Sequence, residues 1–364
     1  MESPIHCFQA ALKRRKVDAF LVTQPENRRY LSGFTATDMN ISESSGSLLI
    51  LSGDPPFLLT DFRYQQQALA DTKGFEICIY KKGLLDLLKT ELPRLGIKRL
   101  AFEGHYLLFQ TARKLQELAD MLAIELIPIT GLIEKQRTCK DPGELALIRR
   151  AVRLNEEVFI EVFKSLRPGM TERQVAIRIE TLMRERGASG PSFETIVAAG
   201  PNGALPHAVP GDRPLVEGEP IVIDMGLVLD GYCSDMTRTV VLGRIAQKTR
   251  KLFRLVRKAQ LAGIKAIRPG RTGLEVDMAA RRIITEAGYG EAFGHGLGHG
   301  VGLAVHEAPS LSFRNRKQLK PGMVVTVEPG IYLPGWGGIR LENMVVVTPE
   351  GCELLNSDTT FLDI

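Results

Sequence analysis

Residues 219–243 read EPIVIDMGLVLDGYCSDMTRTVVLG, two β-rich runs on either side of Asp230-Gly231. A two-residue Asp-Gly turn takes positive φ at both central positions, which makes the pair a strong hairpin signal. Such a turn pairs residue 229 with 232, 226 with 235 and 224 with 237, and side-chain alternation then sets Asp224 and Asp235 on one face. They become diagonal neighbours with β-carbons roughly 7 Å apart, and Gly226 is expected to leave open space between them. Two carboxylates so placed are costly unless a cation or a proton joins them, or one of them turns out to solvent.

Two more acids follow. MVVTVEPGIYL (323–333) and GGIRLENMVVVT (337–348) are strand patterns joined through PGWGG, and they carry Glu328 and Glu342. Arg340 shares a face with Glu342 by parity, and acids inside such apolar runs are seldom simple surface residues. Between the two pairs lies FGHGLGHGVGLAVHE (293–307), which holds His295, His299 and His306, three of the six histidines of the chain. Its alternate glycines, Gly294 to Gly302, argue against a helix and fit neither a dinucleotide fingerprint nor a phosphate loop. HExxH is missed as well, because Pro309 and Ser310 follow His306-Glu307-Ala308. The segment reads as extended or looped backbone, approached closely on its glycine side and displaying imidazoles on the other. A single histidine there is most simply structural. Taken with Asp224, Asp235, Glu328 and Glu342, one imidazole completes an oxygen-rich site whose four carboxylates offset two divalent ions, and such hard donors suit Mn²⁺ while admitting Co²⁺, Fe²⁺ or Zn²⁺.

The elements that must position these residues fall into two domains, as 364 residues would suggest. Up to about residue 130, β-rich runs (18–22, 47–52, 56–61, 75–80, 99–104 and 124–130) alternate with helical stretches such as LLDLLKTELPRL and TARKLQELADML, the pattern of an α/β domain. At CKDPGELALIRRA the pattern changes: Asp141 suits a helix cap, Pro142 the first turn and Glu144 the third position of a capping box. The boundary is placed near 135, giving domains 1–135 and 136–364. The second has helices near 171–186, 247–267 and 273–287 between strands joined mostly by turns, which predicts an α+β domain on a curved, largely antiparallel sheet.

Bulk properties exclude several classes. The net charge is +5, with lysines and arginines read as scattered among nearly as many acids, so the footprint of a nucleic-acid binder is absent and no nucleic-acid partner is expected. The densest basic run, Lys13 to Lys16, reads as a solvated helix end. Five widely spaced cysteines without a CxxC pattern suit the reduced thiols of a cytoplasmic protein. No signal-peptide order opens the chain, and no apolar run approaches the roughly 18 residues of a membrane span, so no membrane partner is expected.

At DMGLVLDGYCSDMTRT, GHGLGHGVGLAVHE and VEPGIYLPGWGGIRLEN the sequence resembles the pita-bread metallopeptidases, the family of methionine aminopeptidase, aminopeptidase P and prolidase, with creatinase as a non-metal relative. PENRRYLSGF and TDFRYQQQA resemble the N-terminal domain of the Xaa-Pro-cleaving branch, so the resemblance spans essentially the whole chain. It implies an α/β N-terminal domain followed by an α+β pita-bread domain. Asp224 would be a ligand of one metal, His299 and Glu328 ligands of the other, and Asp235 and Glu342 bridges between them. His306 and His207, the latter in NGALPHAVP, match histidines that meet the substrate, while His295 and Arg340 would steady the ligands.

The implied reaction is hydrolysis of the Xaa-Pro bond at the N-terminus of short peptides with proline second. Two metals about 3.5 to 4 Å apart acidify a shared water, and Glu328 accepts its proton. Relatives of this branch are commonly homodimers. Where dipeptidases of the branch often read HExPR, this chain reads HEAPS, with Ser310 in place of the arginine that would hold a dipeptide carboxylate; Asn343 stands where an aspartate commonly follows the last glutamate. The departure favours an aminopeptidase over a dipeptidase. A catalytically silent peptide-binding relative would be marked by lost ligands, and a creatinase-like hydrolase works without these metals, whereas all five ligand positions here are filled.

Overall fold

A computed structural model describes residues 3–38, 44–53 and 55–357. The chain divides into two compact units, 1–137 and 138–364.

The first unit is built on one six-stranded mixed sheet. Its central strand, Ala19–Val22, pairs in parallel with Arg99–Glu103, which pairs in parallel with Glu125–Ile129. On the other side Ser47–Leu51 and Phe57–Asp61 follow antiparallel, and Glu76–Tyr80 closes the sheet in parallel. Helices Leu84–Arg94 and Phe109–Met121 bury Leu88, Leu92, Leu115 and Leu118 in one core with Leu21, Leu49 and Leu100. Ala19–Val22 is buried along its whole length, which is why its sequence is continuously apolar rather than alternating.

The second unit opens with the helix Pro142–Ser165, whose capping box is formed: Asp141 Oδ1 accepts from Glu144 N at 2.9 Å, and Glu144 Oε2 accepts from Asp141 N at 3.0 Å. All its named strand pairs are antiparallel. The Asp-Gly hairpin has the expected register, with Leu229 opposite Tyr232, Val228 opposite Cys233 and Thr237 opposite Asp224. Asp230 and Gly231 both take positive φ, +50° and +83°, as a type I′ turn requires. PGWGG likewise closes a hairpin, pairing Gly330–Leu333 with Gly337–Arg340.

The long strand patterns are each interrupted, and acids sit at the interruptions. Asp235 lies between Tyr232–Cys233 and Met236–Val241, Glu328 between Val324–Val327 and Gly330–Leu333, and Glu342 between Gly337–Arg340 and Asn343–Val347. At each break the chain passes from one sheet to another, so these side chains project where sheets meet.

Two readings of the sequence need correction. Gly226 does not leave open space: a β-carbon there would lie 2.2 Å from Ser192 Oγ and 2.2 Å from the Ser234 carbonyl oxygen. The bare segment 294–302 is approached closely, as expected, and the approach is made by neighbouring strands, since a β-carbon on Gly298 would meet the Thr326 carbonyl at 2.1 Å and one on Gly300 the Ala308 carbonyl at 2.4 Å. And the cations are not scattered: residues 244–272 carry ten lysines and arginines and no acid, most of them on the helix Gln247–Ala266. No helix among the described residues is long and apolar enough to cross a membrane.

Candidate metal centre

The residues marked in the sequence converge on one cavity of about 510 Å³ in the second unit. Asp224, Asp235, His299, Glu328 and Glu342 line it, as do His207, His295, His306 and Arg340. His207 and His306 are exposed, whereas Asp235, Glu342 and Arg340 are buried.

Asp224 is held by the hairpin and by Arg340, whose Nη2 donates to its Oδ2 at 2.7 Å. Arg340 reaches further: Nε donates to Thr237 Oγ1 at 3.1 Å and Nη1 to Tyr332 Oη at 3.0 Å. Thr237 Oγ1 then donates to Glu342 Oε2 at 2.7 Å. Since Tyr332 Oη accepts from Arg340, its own proton goes to His295 Nε2 at 2.8 Å, which leaves His295 Nδ1 to donate to the Gly296 carbonyl at 2.8 Å. One guanidinium thereby fixes two acids and a histidine, Asp224 directly and the other two through Thr237 and Tyr332.

His299 sits on the short strand Gly298–Gly300. Its backbone N–H donates to Thr326 Oγ1 at 3.0 Å, and that hydroxyl donates to Glu328 Oε1 at 3.1 Å. Burial lowers the His299 pKa, so the ring is neutral. Its Nδ1 donates to the Gly300 carbonyl at 3.1 Å, and the unprotonated Nε2 therefore faces Glu328 Oε1 at 3.3 Å and Asp235 Oδ2 at 3.6 Å. A lone pair aimed at two carboxylates is repulsive unless a cation or a proton stands between them.

The acids carry the same message. Burial, followed by Glu342, Asp224 and Glu328, raises Asp235 well above the ordinary carboxylate range; burial, followed by Glu328 and Asp224, does the same to Glu342. Burial also raises Glu328. Four carboxylates against one guanidinium leave buried negative charge that the protein itself does not neutralise. Asp224 Oδ1 is buried without a hydrogen-bond partner, and donor atoms of Asp235, His299 and Glu342 lie within 4.8 Å of one another. This donor set fits a hard divalent cation, with oxygen dominating and one imidazole nitrogen.

Five supporting residues escaped the sequence reading. Thr237 is the cross-strand partner of Asp224, so the hairpin register alone would have found it. Thr326 shares parity with Glu328 on one strand pattern. Tyr332 gave no signal beyond its place in a strand. Asp277 and Arg281 showed helical spacing for an ion pair, but their target, the backbone around His295, lies outside that helix.

Comparison with known proteins defines the class as a metal-dependent peptidase. The model of metallopeptidase family M24 matches residues 146–349, and that of the creatinase/prolidase N-terminal domain matches residues 5–139. The chain belongs to metallopeptidase family M24. It is 34% identical over 346 residues to the Xaa-Pro dipeptidase of Pyrococcus furiosus, covering 94% of each chain. Among solved structures it is similar to an Xaa-Pro dipeptidase from Bacillus anthracis (TM-score 0.91, 39% identity, covering 98% of this chain and 97% of that one). It is also similar to an X-Pro aminopeptidase from Thermotoga maritima (TM-score 0.86, 39% identity, 96% and 98% covered). The second unit has the pita-bread fold of the prolidases.

Proposed function

We propose that this protein is an Xaa-Pro aminopeptidase, cleaving the bond between the first residue and a proline in second place on peptides of three residues or more. The observation that carries this reading is the charge on the cavity wall. Among its described lining residues Arg340 is the one arginine and there is no lysine, and Arg340 is engaged by Asp224, Thr237 and Tyr332. A dipeptide would bring its carboxylate into the cavity without a free guanidinium to meet it, and Ser310 stands at the wall instead. A longer peptide has no carboxylate at that position.

We assign Asp224, Asp235, His299, Glu328 and Glu342 as ligands of two divalent ions, Mn²⁺ by the hardness of the set. When bound, the ions supply Lewis-acid polarisation of the scissile carbonyl and acidify a water. Glu328, its pKa raised by burial, accepts the water's proton and delivers it to the leaving proline nitrogen. Partial desolvation of its ring against the cavity and then His299 lower the His306 pKa, so His306 is neutral at pH 7 and offers an N–H to the oxygen that gains charge. His207 offers a second donor. A bond before proline has no amide N–H, so the ring must be recognised by shape, and Phe193, Ile196, Pro206, Ala208 and Val209 form an apolar wall suited to that.

Dipeptidase activity is the second reading, favoured by the names of the relatives from Pyrococcus and Bacillus anthracis. Hydrolysis of Gly-Pro-Ala and Gly-Pro by Mn²⁺-loaded protein separates the two. A higher kcat/KM on Gly-Pro-Ala is expected; a preference for Gly-Pro overturns the aminopeptidase assignment.

A further inference from the structure

The cations of this chain are distributed unevenly. Segment 244–272 holds ten lysines and arginines and segment 313–320 holds four, with no acid in either, while the whole chain is only +5. The remainder is therefore −9. The two segments are tied together: Leu319 N donates to the Arg271 carbonyl at 2.7 Å and Gly270 N to the Leu319 carbonyl at 3.0 Å. They form one basic band, running along the helix Gln247–Ala266 and onto the loop beside its C-terminal end.

The helix turns Leu252, Phe253, Val256 and Ala259 into the core and exposes Lys248, Lys251, Arg254, Lys258 and Lys265. Elsewhere several surface arginines pair with carboxylates, as in Arg149 with Glu353, Arg173 with Asp212, Arg178 with Glu161 and Arg282 with Glu286, while others such as Arg14, Arg15 and Arg153 stand singly or in short runs. Within the band Lys251, Arg254, Lys258, Lys265 and Arg268 have no carboxylate partner among the described residues. Unpaired like charges along one face repel one another, a cost that salt screens and that a polyanion would relieve further.

We infer that this band binds the phosphate backbone of nucleic acid. The helix is 20 residues long, about 30 Å, a length over which a duplex presents one phosphate charge per roughly 1.7 Å. A bilayer surface is the poorer match: the apolar stripe of the helix is committed to the core, and Leu261 is the one large apolar side chain exposed on it. The contact is with phosphates, and no base-reading residue is assigned.

Fluorescence anisotropy of the full-length protein with a labelled ~20-base-pair duplex, DNA or RNA, tests this between about 50 and 200 mM salt. Binding should weaken with a log–log slope of about −5 or steeper, as expected for six or more neutralised phosphates. The triple variant Lys251→Glu, Arg254→Glu, Lys258→Glu should lose at least ~100-fold in affinity at the lowest salt, with a slope shallower by about 3. Its hydrolysis of Gly-Pro-Ala should be unchanged, because none of the three lines the catalytic cavity. The matched reversal of Lys13, Arg14 and Arg15 should leave binding intact. No binding at the lowest salt, equal loss in the two triple variants, or tighter binding to phosphatidylserine vesicles than to the duplex would overturn the inference.

Discussion

Asp277 and Arg281, one turn apart on the helix Gly273–Glu286, form a two-pronged ion pair: Arg281 Nε donates to Asp277 Oδ2 at 2.7 Å and Nη2 to Oδ1 at 2.9 Å. The remaining capacity of both groups fastens the backbone around His295. Arg281 donates to the Phe293 and His295 carbonyls at 2.7 and 2.6 Å, and Asp277 Oδ1 accepts from Leu297 N at 3.0 Å. The glycine-rich segment, which has few side chains of its own to anchor it, is thus held by a neighbouring helix.

Arg281→Ala should therefore cost both stability and catalysis. It strands the fully buried Asp277 carboxylate, a loss of about 3 kcal/mol, readable by urea denaturation. Turnover of Gly-Pro-Ala should fall more than tenfold, since small displacements of a positioned group are expensive. Near-normal kcat with only a lowered Tm would show that the clamp supports the fold but not the site.

In the metal-stripped protein the buried carboxylates should contribute stability as pH falls from 7 toward 5, against an opposite contribution from His295, His299 and His306, whose pKa values are lowered in the folded state. Asp235, Glu342 and Glu328 have folded-state pKa values raised above the ordinary carboxylate range of about 4, so the folded state takes up protons that the unfolded chain does not hold. The gain accrues as pH drops through the raised values and levels off near the unfolded ones. Calorimetric Tm of chelator-treated wild type and of chelator-treated Asp235→Asn against pH isolates the carboxylates: the variant's margin over wild type should shrink as pH falls from 7 to 5, and a constant margin would contradict the site electrostatics.

Asp235→Asn should separate function from stability. Removing one of four crowded carboxylates relieves a buried charge, so the metal-free variant should melt several degrees above metal-free wild type. Metal retention and peptidase activity should both be lost. A variant as active as wild type would sink the ligand assignment.

Two glycines four residues apart in the chain should respond oppositely to alanine. At Gly298 a β-carbon would lie 2.1 Å from the Thr326 carbonyl oxygen, so Gly298→Ala should cost about 3 kcal/mol or more. At Gly294 nothing lies within 4 Å, and Gly294→Ala should be neutral or slightly stabilising. Equal destabilisation of the two in thermal melts would refute the close-approach explanation.

Much of this site could be read along the chain because its signals are local. Asp230-Gly231 sets a register, the register sets Asp224 beside Asp235, and parity aligns Arg340 with Glu342. Asp141 and Glu144 likewise announce a helix start within four residues. What escaped depends on approach between distant segments. The contacts that demand bareness at Gly298 and Gly300 come from strands that close only in the folded unit, and Gly226 faces Ser192 from another part of the chain. The basic band was missed for a related reason: nearly balanced totals hide a segregation that becomes a surface only when the helix turns one side outward and 313–320 packs beside it.

The acids at the strand interruptions have one more consequence. With these donors as ligands, a cation would stitch together stretches near 224–235, 299 and 328–342 at the points where the backbone ladders lapse. Occupancy would then act as a rivet between sheets, slowing global opening and protecting the loops there from proteases. The amount of enzyme surviving in a cell, and not only its rate, would follow the supply of metal.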